Sequence, residues 1–290
     1  MRYGTGVLLV VTAAVLWSLT GLMIRQIDQA GTWAVLFWRS VGMIPVLVAY
    51  IAFASGGRVV QRMRGVGMAG AVGGAGLILA FAGAIYAIQA TTVANAVFLF
   101  SASPFLAAIL GWLILKEPVR PATWAAIALA GVGMYIMVRE GLAAGAMLGN
   151  IAALLSAGGF AIFTVALRWG RSADMMPAVV LGGVFSMIAA GAVLALTGGS
   201  LVVPAGDIAI SMAMGALVLA SGMVLYTLGS RVIPAAELTL LSMVEVMLAP
   251  IWVWAVLGET ASVGTFIGGA VLMVAVGFNA GSGARARALA

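Results

Sequence analysis

The 290-residue chain contains no cysteine and no histidine, and only 8% of its residues are charged. Without cysteine there is no disulfide and no thiol nucleophile. Without histidine the usual zinc sites and a Ser–His dyad are excluded too. Soluble domains carry roughly 25% charged residues, so this chain cannot cover a water-facing surface. No Walker motif occurs, so ATP is not expected to drive the protein. What is present is apolar: 64% of residues are hydrophobic, and the mean hydropathy is +1.21. That is the composition of an integral membrane protein. A spanning helix takes about 20 residues, so ten would use about 200 and leave about 90, too few for a soluble domain.

Apolar runs bounded by charge, proline or polar clusters predict an all-α chain of ten spans. They lie at 6–26, 32–54, 66–89, 93–115, 121–138, 145–168, 176–197, 207–230, 235–257 and 262–280. The first run follows Arg2, as a signal peptide would. Its core from Val7 to Ile24 is too long for an h-region, and no clear cleavage site follows, so it is read as a span. With the N-terminus inside, inner segments hold eleven basic residues, among them Arg58, Arg62, Arg64, Lys116, Arg168 and Arg231. Outer segments hold two, Arg25 and Arg139, and Arg39 falls within the second span. The positive-inside rule places both termini in the cytoplasm. A bacterial-type inner membrane is the expected location. The excess of basic residues reads as topology and gives no reason to expect a nucleic-acid partner.

The two halves resemble each other. A shift of 142 carries Trp112, Glu117 and Thr123 onto Trp254, Glu259 and Thr265. It also carries Ala94-Asn95 onto Ala236-Glu237 and Ser103 onto Glu245, while a shift of 143 carries Trp17 onto Phe160 and Arg25 onto Arg168. The expected units are residues 1–142 and 143–290, the second ending in a short basic tail at 281–290. Five spans per unit is an odd number, so the second unit should sit upside down relative to the first. Inverted repeats are a common build of alternating-access transporters, with the site near the midplane.

Trp17-Ser18, Arg39, Ala94-Asn95-Ala96, Ser103-Pro104-Phe105, Leu115-Lys116-Glu117 and Leu257-Gly258-Glu259 together resemble the drug/metabolite transporter superfamily. Within it, the chain is similar to the ten-helix EamA-type exporters. The resemblance implies a basket of ten helices around a cavity lined by spans 1, 3, 4, 6, 8 and 9. It also implies export of amino acids, other metabolites or drugs. One position departs from symmetry: Val246 stands where the first half has Pro104, and Pro250 follows four residues later. A matching kink in both halves is therefore not expected.

Charges inside spans are costly and tend to face protein or water. Arg39 and Glu245 are of this kind, Arg39 as a packing residue or a carboxylate-binding one, Glu245 as a site for a proton or a substrate amine. Glu237, near Arg231, is expected to form an interfacial ion pair. Helical spacing puts Ser242 and Glu245 on one face of the ninth span. Asn95 and Ser101 lie on the fourth, and the aromatic residues Trp17, Tyr86, Phe98, Phe160, Phe163 and Tyr226 supply stacking surfaces. The expected substrate-binding set is Trp17, Tyr86, Asn95, Phe98, Ser101, Phe160, Tyr226, Ser242 and Glu245. No cofactor or metal is expected. The partners are a small molecule, amino acids foremost, and the bilayer; a monomer is compatible with the sequence. Cationic drugs or nucleotide-sugar-like metabolites remain rival substrates. A lipid enzyme lacks the nucleophiles and metal ligands it would need. Gly70-x-x-x-Gly74, Gly145-x-x-x-Gly149 and Gly264-x-x-x-Gly268 predict close helix packing. Gly73, Gly74, Gly76 and Gly83 offer the alternative of a third span that bends. Pro45 and Pro104 should free backbone carbonyls. The tail from Gly281 is expected to be disordered near anionic lipid.

Overall fold

In a computed structural model, the predicted apolar stretches fold into helices. The structure describes residues 2–143, 146–170, 174–233 and 235–288, and their side chains except at 140–143, 235–237, 239, 240 and 283–288. The helices are α1 (Tyr3–Ser18), α2 (Thr20–Ile24), α3 (Thr32–Ser55), α4 (Val59–Gly65), α5 (Gly67–Ala90), α6 (Val93–Phe100), α7 (Ser103–Leu115) and α8 (Pro121–Ala143). They continue as α9 (Met147–Trp169), α10 (Met176–Thr197), α11 (Ala205–Ala213), α12 (Ser221–Gly229), α13 (Ala235–Leu257) and α14 (Val263–Ala288), with a π-helical segment, Met214–Ala220, joining α11 to α12. Among the described residues, nine helical stretches are long and apolar enough to cross a membrane, and α13 adds the apolar run Leu241–Leu257. The protein is a ten-helix, multi-pass membrane protein without strands among the described residues. Exposed apolar side chains such as Phe53 and Leu196 suit a hydrocarbon surround.

Three spans depart from a regular helix. Span 4 breaks at Ser101-Ala102 because Pro104 has no N–H for the carbonyl of Phe100. The chain tightens there, with Ser101 N donating to Phe98 O at 3.1 Å and Ala102 N to Leu99 O at 3.1 Å. Span 1 turns at Leu19, where N–H donates to Leu16 O at 3.1 Å. Span 8 widens into its π segment, and the Ser221 hydroxyl donates to Ala216 O at 3.0 Å. By contrast α13 runs unbroken through Pro250, and α3 through Pro45. The missing proline at Val246 thus has the expected effect.

Two segments correct the sequence reading. The loop after span 2 contains α4, with no buried residue and with Arg62 and Arg64 in its last turn, where the helix dipole favours cations. The turn into it needs two positive φ angles, 61° at Gly56 and 86° at Gly57, which glycine adopts without a Cβ clash. At the other end of the chain, α14 continues through Ala288, where a span ending at 280 and a disordered tail were expected. Gly145 lies outside the described residues.

Span 3 does not bend at its glycines. It uses them to pack α5 directly on α9. A Cβ at Gly76 would stand 2.9 Å from the carbonyl oxygen of Gly159, and one at Gly83 would stand 2.7 Å from that of Ala152. α5 also packs on α10, and α10 on α3; α1 lies against α12 and α13, and α8 pairs with α14. The main core joins Leu36, Met43, Leu77, Ile85, Leu99, Met176 and Met214. A second cluster, built around Phe105 and Leu272, closes spans 4, 5 and 10.

Candidate functional site

Trp17, near the end of α1, and Tyr226, in α12, stack at 5.4 Å between ring centroids with 40° between planes. The indole Nε1 of Trp17 donates to Leu219 O, in the π segment, at 3.4 Å. A side chain at Gly222 would collide with this indole, its Cβ falling 2.7 Å from the ring's Cδ1. Tyr226 lies near Ser242 of α13, whose hydroxyl donates to Leu238 O at 2.9 Å. The structure therefore brings Trp17, Tyr226 and Ser242 together across spans 1, 8 and 9. Glu245 lies three residues beyond Ser242, on the same helix face. It is half-buried, and no hydrogen bond or ion pair engages it among the described residues. Ser18, beside Trp17, accepts a hydrogen bond from Trp252 Nε1 at 2.9 Å, which fixes α1 to α13.

The other expected residues lie elsewhere. Asn95 is buried in a polar network: its amide reaches Asn150 and, at 3.3 Å, Thr91 Oγ1, and its carbonyl accepts from Thr265 at 3.4 Å. Those contacts hold α6, α9 and α14 together. Phe98 is buried against α14, where Gly269 leaves room for its ring. The Ser101 hydroxyl donates to Phe98 O at 2.6 Å inside the break of span 4. Tyr86 and Phe160 are exposed, and Phe160 contacts the buried Phe163 at 5.6 Å. Two cavities, of about 610 and 290 Å³, sit near the ends of the bundle, and none of the nine residues lines either. Arg39 is buried in α3 with its guanidinium 4.4 Å from the centre of the Phe81 ring. Such a desolvated contact is worth about 2 kcal/mol. Its Nε and Nη2 have no hydrogen-bond partner among the described residues. The side chain of Glu237 lies outside the described set.

Two ion pairs mark opposite ends of the spans. Arg25 Nε meets Glu259 Oε2 at 2.7 Å, and Arg25 Nη2 donates to Thr91 O at 2.7 Å. The second oxygen of Glu259 accepts from Val93 N at 2.7 Å, at the first turn of α6. At the far end, Arg168 Nη1 meets Glu117 Oε2 at 2.6 Å, and Arg168 Nη2 donates to Ala107 O at 2.9 Å. Each glutamate follows a left-handed residue, Lys116 with φ 57° and Gly258 with φ 69°. Each also donates its own N–H six residues back, Glu117 to Gly111 O and Glu259 to Val253 O, both at 3.3 Å.

Sequence reasoning passed over Asp207. Its buried carboxylate accepts from the N–H groups of Gln29 at 2.9 Å and Ala30 at 2.8 Å, and from Asp28 at 3.3 Å. It thereby anchors the loop after span 1 to the first turn of span 8. An acid in the first turn of a helix was the available signal.

The comparisons with known proteins agree with this architecture. A protein of known crystal structure, 17% identical, superimposes with a TM-score of 0.65 over 96% of this chain and 97% of its own. At that identity the likeness is one of fold. No curated protein matches the chain. Residues 4–139, the first half of the chain, match the EamA-like transporter family.

Proposed function

We propose that this protein is a secondary transporter that exports small metabolites from the cytoplasm, foremost amino acids with aromatic or other apolar side chains. It works by alternating access, in an inner membrane, with both termini cytoplasmic. Its two five-helix units, 1–142 and 143–290, are inverted repeats. The observation that carries this reading is the correspondence of the two ion pairs. Adding 143 to Arg25 gives Arg168, and adding 142 to Glu117 gives Glu259; the turns before the glutamates and their backbone bonds follow the same shift. Each pair joins the end of a first span in one unit to the end of a fourth span in the other. A pseudo-two-fold axis in the membrane plane would exchange them. They act as gates at opposite faces, and opening one while the other holds exposes the interior to one side at a time.

The substrate would sit where spans 1, 8 and 9 meet. Trp17 and Tyr226 offer aromatic faces worth about 0.5–1.5 kcal/mol per favourable pair beyond burial. Ser242 and Glu245 would receive the ammonium group, and Ser101 lies at the break of span 4. Tyr86, Asn95, Phe98 and Phe160 enter this site only if the helices around them part. The unengaged Glu245 beside an aromatic pair also favours a second reading, a lipophilic cation as substrate.

Counterflow of labelled Trp, Phe, Thr and Ala in proteoliposomes tests the proposal. Trp and Phe should exchange fastest, and Trp17→Ala should slow them several-fold more than Thr or Ala. An equal loss across all four would make Trp17 a packing residue. Glu245→Gln should abolish exchange or change its pH dependence while the protein stays monodisperse. Unaltered kinetics would remove the carboxylate from the mechanism, and a panel of organic cations moving in place of amino acids would select the second reading.

A further inference from the structure

Residues 91–93, the turn between α5 and α6, are gripped by both partners of the Arg25–Glu259 pair. Arg25 Nη2 donates to Thr91 O at 2.7 Å, and Val93 N donates to Glu259 Oε1 at 2.7 Å. Thr91 is extended, with φ −142° and ψ −178°, so its carbonyl points away from the helix ladder. Both bonds go to backbone. Whatever fixes the turn therefore fixes the place where the ion pair can close.

Asn95 fixes it. The Thr92 hydroxyl accepts from Asn95 N at 3.2 Å and caps α6. The side-chain amide of Asn95 donates to Thr91 Oγ1 at 3.3 Å and to Asn150 Oδ1, and its carbonyl accepts from Thr265 Oγ1 at 3.4 Å. Asn95, Asn150 and Thr265 are all buried. The turn is also packed from outside: a Cβ at Gly149 would stand 2.9 Å from Thr91 Cβ, and Gly21, four residues before Arg25, leaves room for Val93. Thr91 thus joins two systems. Its carbonyl serves the ion pair, and its hydroxyl belongs to a buried cluster that spans α6, α9 and α14. A buried network of this kind has no water to replace a lost member, so its bonds are made or broken together. The Arg168–Glu117 pair is built otherwise, taking its backbone partner, Ala107 O, from inside α7.

We infer that Asn95 is a positioning residue for the Arg25–Glu259 gate: through Thr91 it holds the turn that both partners grip, and this gate parts only as the Asn95 cluster releases α6. The inference rests on the two-gate reading above and adds to it a side chain that touches neither charge. It assigns Asn95 to one gate and not to the other.

The chain has no cysteine of its own, so introduced pairs carry spin labels without background. Gln26→Cys with Thr260→Cys flanks the first ion pair, and Trp169→Cys with Pro118→Cys flanks the second. All four positions are exposed, and the shifts of 143 and 142 relate one pair to the other. Distances are measured by double electron–electron resonance on the full chain in liposomes, in the wild type, Asn95→Ala, Thr91→Val and Thr91→Ser. In Asn95→Ala and Thr91→Val the long-distance population at 26–260 should rise about two- to tenfold, the range that one net hydrogen bond supports. The population at 118–169 should stay the same or fall. Thr91→Ser keeps the hydroxyl and should restore the wild-type distribution. Equal broadening at both ends would make Asn95 a packing residue and overturn the inference. Two populations in the wild type that neither variant shifts would also overturn it, and would leave the gates standing. A single distance at both ends in every protein would overturn the two-gate reading as well. Should Asn95→Ala fail to fold, Thr91→Val, nearly the same shape as the native residue, decides against Thr91→Ser.

Discussion

At one end of the bundle Arg25 and Glu259 meet with side chains 25% and 20% exposed; at the other, Arg168 and Glu117 meet with 40% and 39% exposed. The contact distances are nearly equal, so the difference lies in what surrounds them. Glu259 divides its oxygens between Arg25 and the first N–H of α6, and Arg25 adds the carbonyl of Thr91. One pair thus clasps four segments: span 1, the link between spans 3 and 4, the start of α6, and the turn before span 10. The Glu117 carboxylate has one partner among the described residues, and Arg168 adds only Ala107 O. A guanidinium–carboxylate contact gains little in water and more where water is excluded. The better-supported pair should therefore be the stronger latch, and the more open one the first to part.

The comparison can be broken at its root by topology. Single cysteines placed beside Glu117 and Glu259 should label from opposite faces, an all-or-none result with impermeant reagents. Labelling from the same face would end the two-gate reading. Next in size are the latches themselves. Glu259→Gln should lower stability by about 2 kcal/mol, because it strands a partly buried guanidinium and weakens the bond to Val93. Glu117→Gln should cost about 1 kcal/mol or less, as an exposed pair does. Thermal unfolding in detergent measures both, and equal losses would erase the asymmetry. The left-handed turns give effects of similar size. Gly258→Ala should cost about 1–2 kcal/mol. Lys116→Gly should gain less than about 1 kcal/mol, because relief of the backbone is partly offset by the freedom glycine adds to the unfolded chain.

The spans were readable because they rest on local composition. Apolar length marks a crossing, and Glu117 and Glu259 follow the same apolar ending. The break at Pro104 could be anticipated, since a missing N–H acts on its own turn, although α3 and α13 run unbroken through Pro45 and Pro250. The partners of those residues could not. Arg25 and Arg168 were aligned with each other in the sequence, yet each binds a glutamate of the opposite half, a choice made by tertiary packing. Asn95 looked like a lining residue because polar groups in spans often are; here Asn150 and Thr265, from distant helices, use its amide. The π segment and Asp207 escaped for a related reason. One depends on how α3 crowds span 8, and the other on a loop 177 residues away.

The seam between α5 and α9 sets a rule for any motion of this protein. Backbone lies on backbone there, with carbonyls filling the places where other residues carry a Cβ. Sliding one helix past the other by a single residue, about 1.5 Å, would drive side chains into those carbonyls. The third and sixth spans consequently travel as one plank, although they come from different halves of the chain. For the proposed alternation between faces, the dividing line therefore would not follow the midpoint of the sequence.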